Sequence, residues 1–257
     1  MPEGDTIHYA ANRMRPVLAG AVPVVETPQP RHRFDRWPQR LADQTVESVD
    51  AHGKHLFIRF SDDLVLHSHL RMTGSWATYE EGRRWRRSPR RAWLVLRARD
   101  HAVVQFDGPV LELLTESRTR FDRRLAMLGP DILAAELDER RFLQRLREDD
   151  PTRPIGDALL DQRTIAGIGN LWKVEACHLV RIDPWRPTGR VSDEEAVAIV
   201  QAARPRMQQS AQDGRQDRFR VIYGKAGRPC PRCGTTISSR GQGDDNRITY
   251  WCPGCQH

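Results

Sequence analysis

The sequence predicts an α+β multidomain chain: an N-terminal helix with a β-sandwich, then a helical domain, then a β-hairpin closed by four cysteines. Three observations predict it. Short β-rich runs separated by polar turns fill the first half. Helical spacing with capping residues replaces them from about residue 131. Two Cys-x-x-Cys pairs close the chain, with 18 residues between them.

Residues 6–19 place Ile7, Ala10, Ala11, Met14 and Leu18 at helical spacing; Asp5 or Thr6 can cap the start and Gly20 can end it. Residues 21–45 are rich in Pro and Arg and read as irregular or edge structure. The runs VESV, HLFIRF, LVLHSHL, AWLVLRA and AVVQF follow, with turns such as Ser-Asp-Asp between them, as in a sandwich or barrel. The loop GRRWRRSPRR, residues 82–91, is the most basic stretch and reads as a solvated hairpin tip or as a nucleic-acid contact. Further on, Asp138 precedes ERRFLQRLRE, whose Phe142, Leu143 and Leu146 share a face. A short helix, the turn GIGN and a second helix from about Leu171 come next. Ser192 to Glu195 is a capping box, and Pro205 is expected to kink or end the helix it opens. Domains are expected over 1–130, 131–220 and 221–257.

Composition narrows the function. No apolar run approaches the roughly 18 residues of a membrane span, and the N-terminus lacks a signal-peptide pattern, so a cytosolic protein that meets no membrane is the expectation. The net charge of +7 suits a polyanion, most often nucleic acid. Of 41 basic residues, 38 are arginine and only Lys54, Lys173 and Lys225 are lysine. Arginine does not give up its proton, whereas lysine can. Each lysine is therefore a candidate for proton transfer.

Cys230, Cys233, Cys252 and Cys255 have the spacing of two knuckles that hold one zinc tetrahedrally. A pair of disulfides is the competing reading, and a chain without a secretory signal disfavours it. Four thiolates leave no open position, so this zinc is structural. Thr235 to Ser239 and Ile248 to Trp251 read as the hairpin strands, and Cys177 reads as a buried thiol.

Several motifs, taken in order, resemble one family. They are MPEG at the start, HGKHLFIRF, SHLRMTG, DQRTIAGIGN and the ending NRITYWCPGCQH. Together they cover essentially the whole chain and resemble the formamidopyrimidine-DNA glycosylase/endonuclease VIII family of base-excision repair enzymes. MPEG and YWCPGCQH look like the endonuclease VIII branch. The resemblance implies a helix-two-turn-helix in the helical domain, a zinc finger at the end, and DNA with a damaged base or abasic site as partner, held in a basic cleft by a monomer.

It also implies site residues. Loss of Met1 would leave Pro2 with a secondary amine able to attack the deoxyribose C1′. The positive pole of the following helix favours the neutral amine. Glu3 would shuttle protons at the sugar; alone, it would read as an acid stabilising a helix start. Lys54 matches the hairpin lysine that assists elimination. Arg247 matches the zinc-finger arginine that grips phosphate with its fork. Asn170 matches a phosphate-binding asparagine, on a turn whose backbone N–H groups are free to hold an anion. Lys173 adds a phosphate contact or stands as an exposed helix lysine. Met72 would fill the gap left by an extruded base, or else belong to the core; Arg71 would meet the orphaned partner. Arg123 and Arg124 are further gap-filling candidates.

Departures from the pattern bear on substrate. Asp5-Thr6 stands where the family has Pro-Glu, Met72 resembles the other branch, and segment 208–224 is short. The short segment points to oxidised pyrimidines over oxidised purines, or to a more open pocket. The implied activity is a bifunctional glycosylase and abasic-site lyase. The alternatives are a non-catalytic binder of damaged or single-stranded DNA, and an oxidised-purine glycosylase.

Overall fold

The computed structural model describes residues 2–30 and 35–257. The fate of Met1, and part of the irregular segment 21–45, lie outside the described residues. The chain forms two compact units, one of Pro2 and Thr6–Ala126, the other of Glu3–Asp5 and Met127–His257.

In the first unit, α1 (Gly4–Leu18) buries the face that its spacing marks out. Strand β1 (Val24–Glu26), which ends its sheet, and the one-turn α2 (Trp37–Arg40) lie within the segment expected to be irregular or edge structure. Then come β2 (Val46–His52), β3 (His55–Phe60), β4 (Leu64–His69), β5 (Ser75–Glu80), β6 (Ala92–Ala98), β7 (His101–Phe106) and β8 (Val110–Thr115). They make two four-stranded sheets, ordered β1-β6-β7-β5 and β2-β3-β4-β8, with antiparallel pairing throughout. Ile7, Met14 and Leu18 of α1 share one apolar core with Leu56, Ile58, Leu66, Leu94, Leu96 and Val103, so alternate strand residues turn inward. The sandwich ends in α3 (Glu116–Phe121) and α4 (Arg123–Ala126).

The second unit carries α5 (Glu139–Arg147), capped by Asp138, whose carboxylate accepts the N–H of Arg141 at 2.8 Å. Next are α6 (Ile155–Leu160), α7 (Asn170–Val180) and α8 (Asp193–Asp213). The capping box forms: Ser192 Oγ accepts the Glu195 N–H, and Glu195 accepts the Ser192 N–H. Pro205 does not end α8, which continues to Asp213. Ala203, Met207, Ser210 and Ala211 are buried on both sides of the proline, and that packing outweighs one lost backbone hydrogen bond. Strands β9 (Ser238–Gln242) and β10 (Arg247–Trp251) form the terminal hairpin, whose turn lies at Gly243–Asn246. No helix among the described residues is long and apolar enough to cross a membrane.

Candidate active site

Helix α7 organises the candidate residues of the second unit. Its first turn has N–H groups that no intrahelical carbonyl can reach. The carboxylate of Glu3 takes them: Oε2 accepts from Gly169 at 3.0 Å and Oε1 from Leu171 at 2.9 Å, with Trp172 at 3.4 Å. Glu3 is only 2 % exposed. This corrects the reading of GIGN as a turn with open N–H groups for a phosphate. It is an anion site, and the anion is the chain's own Glu3. Its glycines make that possible. A Cβ at Gly169 would stand 2.2 Å from Glu3 Cδ, and one at Gly4 would stand 2.8 Å from Gly167 Cα. The Gly4 N–H donates to Gly167 O at 2.9 Å and completes the seat.

Asp5 is a second anchor. It is buried, and its carboxylate accepts from Ser210 Oγ at 2.5 Å and from Gln216 Nε2 at 3.0 Å. The departure from the family's Pro-Glu thus ties the N-terminal strap to the short segment after α8. Glu175 ties the same segment further on, accepting the N–H groups of Ile222 and Tyr223. Pro2, directly before Glu3, is half-buried.

Asn170 donates from Nδ2 to Ile248 O of β10 at 2.8 Å, so its amide joins α7 to the hairpin. Lys173 requires a correction. It is 0 % exposed, and its ammonium donates to Gln242 Oε1 at 3.0 Å and to Thr249 Oγ1. Burial pushes it down to about 8. With no exposed surface, it neither meets a phosphate nor stands on a solvated helix face. Helix α7 is buried on nearly every side, which is why a lysine there points inward. Arg247 opens β10 and pairs with Asp245 of its own turn, Nη2 to Oδ2 at 2.9 Å. Such an exposed pair is worth under about 1 kcal/mol, so a phosphate can displace the carboxylate cheaply.

The first unit presents the remaining candidates. Lys54 sits with Gly53 in the two-residue turn of the β2–β3 hairpin, closed by the pair His52 and His55. Gly53 has φ +56°, the left-handed backbone that such a turn needs. Arg71 and Met72 project from the loop after β4, and Met72 is 65 % exposed, which removes its core reading. Arg124 pairs with Asp122 and Glu112.

One cluster was missed in the sequence. His55 Nδ1 and His67 Nε2 lie 2.9 Å apart, and His67 Nδ1 lies 3.1 Å from Glu112 Oε2. Arg71 N–H donates to His69 Nδ1. Burial lowers all three imidazoles, His69 to about 4 with help from Arg71 and Lys54, so they stand neutral beside Lys54. The alternation H-S-H at residues 67–69, with His52 and His55 flanking a tight turn, was the available signal.

The four cysteine sulfurs at the hairpin lie within 4.8 Å of one another, the one such group among the described residues. Tetrahedral zinc with thiolates at 2.3 Å requires sulfurs about 3.8 Å apart. The set fits one closed, structural zinc, and no cysteine is in a disulfide. Cys177 is a buried free thiol, as its helical position implied.

The chain is similar to known proteins over its full length. Residues 1–142 match the formamidopyrimidine-DNA glycosylase N-terminal domain, 128–219 its H2TH domain, and 227–257 the zinc finger found in FPG and IleRS. A probable endonuclease 8 2 of Streptomyces coelicolor is 39% identical over 100% of this chain and 94% of its own. A DNA-(apurinic or apyrimidinic site) lyase Nei2 of Mycolicibacterium smegmatis is 36% identical, covering 100% and 99%. In fold, the chain is similar to the Lactococcus lactis Fpg crystallised with N7-benzyl-Fapy-dG DNA, with TM-score 0.83, 24% identity and full coverage of both chains. The chain therefore belongs to the formamidopyrimidine-DNA glycosylase/endonuclease VIII family.

Proposed function

We propose that this protein is a bifunctional DNA glycosylase and abasic-site lyase that removes oxidised pyrimidines and cuts the strand by β,δ-elimination. The observation that carries this reading is the seat of Glu3. A buried carboxylate, fixed by backbone N–H groups at a helix start, directly follows the one residue that can offer a secondary amine. A pure DNA binder has no use for that arrangement.

The chemistry follows from the residues. Once Met1 is removed, the Pro2 nitrogen attacks C1′ of the damaged nucleotide as the bond to the base breaks, and gives up its proton; the C1′–O4′ bond then opens, O4′ takes a proton, and an iminium forms. Glu3 takes and returns protons at the sugar, its position fixed by Gly169 and Leu171. Lys54, on its tight hairpin, assists elimination. Arg247 exchanges Asp245 for the phosphate to be expelled, held by both arms of its guanidinium. Asn170 exchanges its bond to Ile248 O for a neighbouring phosphate. Met72 and Arg71 enter the space left by the extruded base. Asp5 and Glu175 hold the short segment after α8 down, leaving no long covering loop over a bulky purine.

The test compares duplexes carrying thymine glycol or 8-oxoguanine. Excision should favour thymine glycol, and Glu3→Gln should slow it by roughly 10²–10⁴-fold while DNA affinity holds. Equal rates for the two lesions would refute the substrate assignment. An unimpaired Glu3→Gln enzyme would refute the role of Glu3.

A further inference from the structure

We propose that the open edge of strand β5, with the arginines around it, is a docking site for an extended acidic peptide segment of a partner protein. It lies wholly within the first unit and uses none of the residues assigned to DNA cleavage.

Among the described residues, strand β5 ends its sheet and pairs only with β7. Glu81 N–H donates to Asp100 O at 2.8 Å, which continues the β5–β7 register. Antiparallel pairing alternates, so Tyr79, Ala77 and Ser75 face β7 with their backbone groups. Trp76 and Thr78 turn their N–H and C=O groups to the open side, as does the N–H of Glu80, whose carbonyl accepts the Arg83 N–H at 3.1 Å. Such an edge is a template for another strand unless it is covered or blocked.

Two adjoining hollows run along this edge. One, of about 290 Å³, lies between α1 and β5, with Tyr9, Met14, Trp76 and Thr78 in its walls. The other, of about 390 Å³, continues past Thr78 and Glu80 toward Arg83 and Arg84. Arg13, Thr78, Tyr79 and Arg86 border both. Thr78 Oγ1 is buried with no hydrogen-bond partner, an expensive state for a hydroxyl on a hollow. Tyr79 is held in place: its hydroxyl accepts the Arg86 N–H at 3.2 Å, and its ring stacks on Trp85.

Charge selects the occupant. In the basic loop, Arg87 and Arg91 share the single carboxylate of Asp107, and Arg83 pairs with Glu80. Arg13, Arg84 and Arg86 have no acidic partner among the described residues, and all three are exposed. They flank the edge where the side chains of an added strand would emerge. A guanidinium fork matches a carboxylate in two bonds. Outward N–H and C=O groups at alternate residues match a peptide backbone, which a nucleic acid lacks. An acidic strand of five to seven residues, with apolar side chains every second position, satisfies the edge, the hollows and the arginines together.

The probe is the peptide Glu-Val-Glu-Val-Glu-Val-amide carrying fluorescein on its N-terminal amine, titrated with full-length protein and read by fluorescence polarisation. Saturable binding should weaken at least tenfold in R84E/R86E. It should also be lost when alternate peptide nitrogens are methylated, and when Thr78→Pro removes one outward N–H. Methylation alters only the probe, so it decides the matter even if Thr78→Pro fails to fold. Three results overturn the proposal: no saturable binding, equal binding of the methylated peptide, or indifference to R84E/R86E. So does a decathymidylate whose binding depends on Arg84 and Arg86 while the peptide does not bind.

Discussion

The carboxylate of Glu3 and the amide of Gly169 meet at 3.0 Å across 166 positions of sequence, with no room for a side chain at Gly169. Gly169→Ala should therefore act on Glu3. The new methyl must displace the carboxylate, at a cost of about 1–3 kcal/mol in stability. Base excision should fall nearly as far as in Glu3→Gln. Single-turnover kinetics beside thermal unfolding checks this; an alanine variant with normal excision would show that the seat of Glu3 is dispensable.

Lys173 makes the opposite kind of prediction. Lys173→Met removes the donor to Gln242 and Thr249 and should cost about 1–3 kcal/mol. The dependence of DNA affinity on salt should stay unchanged, since a buried ammonium releases no counterion. A salt slope reduced by about one would mean that Lys173 reaches a phosphate after all.

Zinc should be present at one ion per chain. Its binding free energy is folding free energy for the hairpin that holds Arg247. Chelation should impair strand cleavage, and the final phosphate expulsion most, while leaving the Pro2 amine chemically intact. Product ends resolved on a sequencing gel would show it. A chelated protein that binds and cuts normally would remove the hairpin from the reaction.

Acid should weaken the first unit. His55, His67 and His69 are lowered from 6.5 by burial, so the folded form resists protons that the unfolded chain accepts. Stability is then fully present above about pH 6.5 and falls as pH drops toward about 4, where His69 titrates. Unfolding midpoints between pH 7.5 and 4.5 should fall more steeply for the wild type than for His55→Phe/His67→Phe. Parallel curves would contradict the neutral cluster.

Local chemistry was legible in the sequence, and long-range pairing was not. Cysteine spacing found the metal cluster, and alternation found β2, β3, β4, β6 and β7. It passed over β5 and β8, which end their sheets. These two bury little: in β5 only Trp76 is buried, and in β8 only Leu111, so their periodicity is faint, whereas β2, also at a sheet end, buries Val46 and Val49. GIGN was rightly seen as an anion site, but nothing local says that the anion is Glu3. Lys173 misled because its partners, Gln242 and Thr249, are about 70 residues away. Asp5 stood out as a departure, and only the fold supplies Ser210 and Gln216 as its reason.

The central claim is that the Pro2 amine does the chemistry. Borohydride trapping on DNA with a single abasic site tests it most directly, with the N-terminal mass measured on the same sample. The account predicts a covalent protein–DNA complex that forms only when Met1 is absent and disappears in Pro2→Gly with a blocked terminus. No complex from protein with a confirmed free Pro2 would contradict it.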